Sequence, residues 1–265
     1  MSVRSCVALA SLTLAFPALA GQFAGSVVSY VPGSNASSGY QNPQTALGSP
    51  TRFTGVGVFP SAVTPFNPAF LNSEIVSIGS GGSLTLQFAA PVVNDPANPF
   101  GQDLLVFGGQ FYIDDDYPNG LAGPLFGASS NSRVEVSADG QNWFTVPNAQ
   151  ATGVYPTLGY LDLTDPSSPT PGSVLSDFFK PVDPAFSPAG KTFAQIIAGY
   201  NRSGGGTGID IGAAGLSQAS YIRISNLGAS AFNIDAVSAV TPVPAPGGVA
   251  LLCGLAAVPR RRRRI

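Results

Sequence analysis

Histidine is absent from all 265 residues. That removes the commonest general base near neutral pH and the commonest zinc ligand. It also excludes Ser-His-Asp and Cys-His nucleophilic machinery. Cysteine is nearly absent. Cys6 and Cys253 sit in the two end segments, so the stretch between them has no internal disulfide. Charged residues are only 10% of the chain, whereas disorder needs high net charge and few apolar groups, so the composition reads as folded. Carboxylate-pair chemistry survives these exclusions, since two acids across a cleft suffice for glycoside hydrolysis. No motif selects a pair among the 14 acids, so the expectation is a non-catalytic protein.

What is present is most informative at the ends. Arg4 is followed by small and apolar residues from Cys6 to Ala18, then by Ala18-Leu19-Ala20. Early charge, apolar core and A-x-A site in that order read as a signal peptide over residues 1–20, cut by signal peptidase after Ala20. The alternative is a core helix that lies at the N-terminus. At the other end, Val243-Pro244-Ala245-Pro246 precedes an apolar run from Gly247 to Val258 that includes Leu251, Leu252 and Leu255. Pro259 and five arginines, Arg260, Arg261, Arg262, Arg263 and Arg264, follow before Ile265. Arginines resist crossing a bilayer, so they hold this end on the cytoplasmic side and place the rest outside. The run is about a dozen residues, where a spanning helix needs about 20.

Val243 to Arg264 resembles the PEP-CTERM family of protein-sorting signals, with Ala245 where that family usually carries glutamate. The resemblance implies export, transient anchoring in the cytoplasmic membrane as a short transmembrane helix, and processing by an exosortase-like enzyme in bacteria that make exopolysaccharide. Two other readings of this segment stay open: a retained tail anchor with snorkelling arginines, and a basic patch for nucleic acid.

Residues 21–241 remain as the body, enough for one large all-β domain. All 14 acids lie here, against Arg52, Arg133, Lys180, Lys191, Arg202 and Arg223, so the body carries about −8. Such a body repels nucleic-acid phosphates and suits hard cations such as calcium. With 32 glycines and 24 prolines, the pattern is many turns between short strands. Residues 33–65 read as a loop-rich opening with one or two edge strands. Glu74 to Ile78 and the alternating Ser83 to Phe88 read as a hairpin around Gly79-Ser80-Gly81-Gly82. Asp103 to Phe107 is continuously apolar after its first residue and suits a central strand covered on both faces. Arg133 to Ser137 and Trp143 to Val146 flank Asp139-Gly140, a strong hairpin signal. Residues 152–188 are proline-rich and irregular. Lys191 to Tyr200 carries Phe193, Ile196, Ile197 and Tyr200 at helical spacing, and Gly204-Gly205-Gly206 reads as a flexible turn after it. Ile209 to Ile211, Ser220 to Ser225 and Phe232 to Val240 close the domain as strands, with Ile222 and Ile224 inward and Ile234 and Val237 near the edge. About eight to ten strands without alternating helices predict an antiparallel β-sandwich.

The order of these pieces, from about Pro43 to Val240, is similar to bacterial surface modules with a discoidin-like, galactose-binding-like jelly roll. The matching runs are Val76 to Gly79 with Gly82 to Leu86, Asp103 to Phe107, Val134 to Ser137 with Asp139-Gly140 and Trp143, Gly208 to Ile211, Tyr221 to Ile224, and Ile234 to Val237. The resemblance implies ligand loops at one end of the sandwich, commonly for glycans.

Two places are candidates for chemistry. Asp114-Asp115-Asp116 with Asn119 is the densest oxygen cluster and a candidate calcium site, with Asp235 as a distant partner; its spacing is not that of an EF-hand, and a solvated acidic loop is the alternative. Trp143, the single tryptophan, is either a sugar-stacking platform or a core or hairpin anchor. The expectation is an exported protein of the cell envelope or extracellular matrix that contacts exopolysaccharide or mediates adhesion. A surface coat without a ligand is the alternative, and a carbohydrate-active enzyme a third.

Overall fold

The computed structural model describes residues 22–129 and 131–241. The expected export leader, the Val243–Pro246 motif, the apolar run and the arginine cluster lie outside them. Among the described residues no helix is long and apolar enough to cross a membrane.

Among the described residues thirteen strands and one α-helix follow in chain order. They are β1 (Ala24–Val31), β2 (Phe53–Thr54), β3 (Ser61–Ala62), β4 (Val76–Ile78), β5 (Ser83–Val93), β6 (Leu104–Gly108), β7 (Phe111–Asp114), β8 (Ala122–Phe126), β9 (Ser132–Ser137) and β10 (Phe144–Thr145). Helix α1 (Phe193–Tyr200) precedes β11 (Thr207–Ile209), β12 (Gln218–Asn226) and β13 (Phe232–Ala239). A five-stranded sheet runs β1-β5-β12-β9-β10 and a four-stranded sheet β11-β6-β13-β4, with two-stranded ribbons β2-β3 and β7-β8. Every named strand pairing is antiparallel.

Period-two alternation decides which side chains meet between the sheets. Leu84, Leu86 and Phe88 of β5, Val134 and Val136 of β9, and Ile222 and Ile224 of β12 face Val76, Ile78, Leu104, Val106, Ile234 and Val237 of the other sheet in one buried core. Strand β6 is central and buried throughout, as its unbroken apolar sequence requires. Its Leu105 and Phe107 point the other way, into a second cluster with Phe178 and Ala236. The irregular segment 152–188 supplies that cover: Phe178 packs edge-on to Phe107 at 5.1 Å, and its carbonyl accepts from the Ser238 hydroxyl at 2.6 Å.

Helix α1 begins at Phe193 because Thr192 caps it. The Thr192 hydroxyl accepts from the Gln195 N–H, and the Gln195 side chain accepts from the Thr192 N–H. Phe193, Ile196 and Tyr200 then pack with Tyr112, Leu158 and Val182, fixing the β7-β8 ribbon against the body.

Two expectations fail at glycine runs that neighbouring chain segments approach closely. Gly79 to Gly82 does not close a hairpin: β4 and β5 belong to different sheets, so this turn carries the chain across the sandwich. It threads against residues 32–34, where Gly79 N–H donates to Pro32 O at 2.7 Å and Ser34 and Ser80 exchange backbone bonds. A Cβ on Gly79 or Gly82 would collide with that backbone. Gly204-Gly205-Gly206 is likewise packed rather than flexible, pressed between Phe178, the Pro156 carbonyl and Phe107. The eight-residue β1 was not expected; only Val27 and Tyr30 of its apolar residues beyond Ala24 reach the core, so its alternation is weak.

Ile234 and Val237 share the core at odd spacing because β13 bulges between Ile234 and Ala236. The bulge frees Asp235 from the alternation. Its carboxylate, 2% exposed, accepts from the Thr51 N–H at 2.9 Å and hydroxyl at 3.1 Å. Burial pushes this carboxyl up to about 7 against those hydrogen bonds. The fold therefore favours the proton, which the unfolded chain releases near pH ~4. The contribution of Asp235 to stability should be full below about pH 4, fall by on the order of 2–4 kcal/mol as pH rises to about 7, and level off above. Asp103, also raised by burial, adds to the same slope. Denaturant midpoints at pH 5, 6, 7 and 8 should show a clearly shallower slope in Asp235→Asn, an isostere of the neutral acid; an unchanged slope would assign the effect elsewhere.

Candidate functional site

The two outer faces of the sandwich differ. The outer face of the four-stranded sheet is apolar and covered by residues 152–188. The outer face of the five-stranded sheet carries the polar half of each alternation. Register sets Gln87 beside Tyr221 and Tyr221 beside Ser137; Thr85 beside Arg223 and Arg223 beside Glu135; Ser83 beside Ser225 and Ser225 beside Arg133.

These side chains form a ladder across the sheet. The Ser26 hydroxyl donates to Gln87 at 3.4 Å, and Gln87 donates to the Tyr221 hydroxyl at 3.1 Å. The Tyr221 ring stands edge-on to Trp143 at 6.4 Å. The Arg223 guanidinium lies over the Trp143 ring at 4.2 Å, a cation–π contact. Arg223 Nε donates to Glu135 Oε2 at 2.9 Å, and Arg133 Nε approaches the same oxygen at 3.2 Å. Burial pushes the Glu135 carboxyl up, but the Arg223 bond and charge, with Arg133 behind them, hold it below the usual range.

Trp143 is positioned by the Asp139-Gly140 turn, which closes the β9-β10 hairpin as its sequence predicts. Asp139 accepts from the N–H groups of Gln141 and Asn142, each at 2.8 Å, and from the Asn142 amide. The backbone bonds from Asn142 and Gln141 hold its carboxyl well below the ordinary range. Gly140 rests on the Tyr221 ring. Trp143 is thus half-buried on the outer face and outside the sandwich core. It anchors Arg223 rather than filling the interior.

Next to the ladder lies a shallow groove of about 350 Å³ lined by Gly82, Ser83, Arg133, Arg223, Ser225 and Asn226. The glycine crossing forms its end, and the absence of side chains there leaves the space. A second groove of about 380 Å³ lies beside α1. Its Lys180 ammonium already donates to the Asn201 carbonyl at 2.6 Å, and its Tyr200 hydroxyl donates to Pro156 O, so its polar groups hold the fold.

The acidic cluster does not converge. Asp114 accepts from the backbone N–H of Asp116, Gly120 and Leu121 at 2.8–3.0 Å. It closes the β7-β8 ribbon as a turn acceptor. Asp115 lies over Gly123, Asn119 bonds Asp116, and Asp235 is engaged with Thr51. Among the described residues no three acids gather to hold a metal ion. No protein-family model and no curated protein matches the chain.

Arg133, Glu135, Tyr221 and Arg223 were not singled out from sequence. Their signal was present in the solvent-facing phase of two alternating strands. What was missing was the pairing of β9 with β12, which lie 80 or more residues apart.

Leaving three backbone N–H groups without their acceptor at about 1 kcal/mol each, Asp114→Ala should cost about 2–3 kcal/mol in urea denaturation, while Asp115→Ala and Asp116→Ala cost under about 1. Equal costs at all three positions, restored by calcium, would instead make the loop a metal site.

Proposed function

We propose that the chain is an exported, non-catalytic protein of the cell envelope or extracellular matrix, whose sandwich is a galactose-binding-like jelly roll that contacts exopolysaccharide. In this reading signal peptidase removes residues 1–20. The Val243–Pro246 motif, the apolar run and the arginines act as a PEP-CTERM-like signal, with transient residence in the cytoplasmic membrane and processing by an exosortase-like enzyme. The antiparallel sandwich is compatible with the jelly roll, and the end segments rest on their sequence pattern.

The observation that carries the glycan reading is the open sheet face. A half-buried tryptophan on the β9-β10 hairpin and a tyrosine on β12 stand together among amide, hydroxyl and guanidinium donors. Aromatic bodies with adjacent polar groups suit sugars, which present apolar ring faces and hydroxyl edges. One observation favours a ligand-free coat protein instead: Arg223 already covers one face of the Trp143 ring.

Mass spectrometry of the mature product from producing cells should find a chain starting at Gly21 and ending near Pro246; both ends intact would overturn the sorting reading. The purified full chain should be retained on a mixed exopolysaccharide resin. Trp143→Ala should weaken retention about fivefold or more, with the circular dichroism unchanged. Retention equal to the parent would return Trp143 to a purely structural role.

A further inference from the structure

The body has six basic residues, and two of them, Arg52 and Lys180, are spent on the fold. Arg52 is half-buried over the Phe178 ring and bonded to Ser176. Lys180 holds the Asn201 carbonyl. Lys191 and Arg202 are exposed, whereas Arg133 and Arg223 converge on one carboxylate while keeping side-chain exposures of 44% and 29%.

Both engage Glu135 through Nε, and at the same oxygen. One carboxylate thus faces two guanidiniums, leaving the cluster with an excess of one positive charge. Their terminal nitrogens have no hydrogen-bond partner among the described residues. A guanidinium offers its donors as a planar fork that matches a second oxyanion, and Glu135 occupies only one corner of each. Trp143 over Arg223 fixes that fork in place. The hydroxyl-bearing Ser83 and Ser225 line the same groove, whose volume falls in the ~300–1,000 Å³ range of small-ligand clefts.

We infer that the Arg133–Arg223 groove binds an anionic substituent on a polysaccharide, so that the ligand is an acidic rather than a neutral glycan. This rests on the glycan reading above. A uronate carboxylate and a sulfate ester both supply the chemistry. Recognition is short-range. The body's net charge of about −8 repels polyanions at a distance, so a carboxylate or sulfate is held only where the two guanidiniums reach it.

The test uses the purified full chain on resins carrying polygalacturonate, dextran sulfate and neutral dextran. Retention on at least one acidic resin should exceed that on dextran tenfold or more, and the stronger of the two identifies the oxyanion. Arg133→Gln should lower acidic retention fivefold or more. Arg133→Lys, which keeps the charge but not the fork, should lower it less. Neutral retention should be unchanged in both. Arg133 is exposed enough for the fold to tolerate these changes, and an unaltered thermal transition checks this. Equal retention on acidic and neutral resins, or acidic retention unchanged in Arg133→Gln, overturns the inference and leaves the glycan reading standing. No retention on any resin overturns both.

Discussion

The short strap from Thr51 to Thr54 holds an irregular layer onto a regular one, and the difference between the two sandwich faces depends on it. Thr51 is bonded to Asp235 at the β13 bulge. Arg52 reaches under the 159–176 loops, donates to the Gly159 carbonyl and to Ser176, and lies 3.8 Å from the Phe178 ring centroid. Thr54 bonds Glu74. Residues 152–188 contain no strand or helix, so their carbonyls need donor partners from elsewhere. A half-buried guanidinium supplies several donors at once, and its partial burial lowers its proton affinity without removing the charge at neutral pH. With that layer fixed, Leu105, Phe107 and Ala236 are covered, and the polar face of the other sheet is left as the open one.

How much of this was legible follows from the range of each signal. Strand β6 could be read because a sheet interior covered on both sides demands a continuous apolar run. The β9-β10 hairpin could be read because its turn is six residues long and Asp139 and Gly140 carry it locally. Helix α1 could be read because Phe193, Ile196 and Tyr200 lie on one face, and its start was displaced only by the Thr192–Gln195 cap. The failures are all long-range. Gly79 to Gly82 has the composition of a hairpin turn, and nothing local says that its two strands join different sheets. Gly204 to Gly206 looks loose in sequence, but Phe178 and Phe107 press on it from distant elements. Ile234 and Val237 appear out of phase until the bulge at Asp235 is seen. The Arg133–Glu135–Arg223 cluster needed the β9-β12 register, which no local pattern carries.

The scarcity of bases gives the acids an unusual division of labour. Asp114, Asp139, Asp162, Asp177 and Asp183 all accept backbone N–H groups of loops two or more residues downstream. Proline-rich loops strand many backbone donors outside regular structure, and a carboxylate that accepts two of them replaces a missing ladder bond without needing a cation. The apparent calcium cluster is one product of this rule. Three adjacent acids suggested a coordination shell, yet Asp114 is turned inward to its own turn and its neighbours are exposed.

Glu135 departs from that rule, and the departure gives the open face its character. It is the acid found in ion pairs among the described residues, and it is buried while its partners are not. Were the pairing only a means of stabilising β9 against β12, one arginine would satisfy it; a second guanidinium on the same oxygen adds repulsion between like charges and desolvation. That arrangement is retained on the outer face of the five-stranded sheet, where the Arg133 and Arg223 side chains stay 44% and 29% exposed. An excess cation held in fixed geometry on an open face is a liability for folding and an asset for recognition, and the proposed contact with an acidic glycan is the partner that would turn the first into the second.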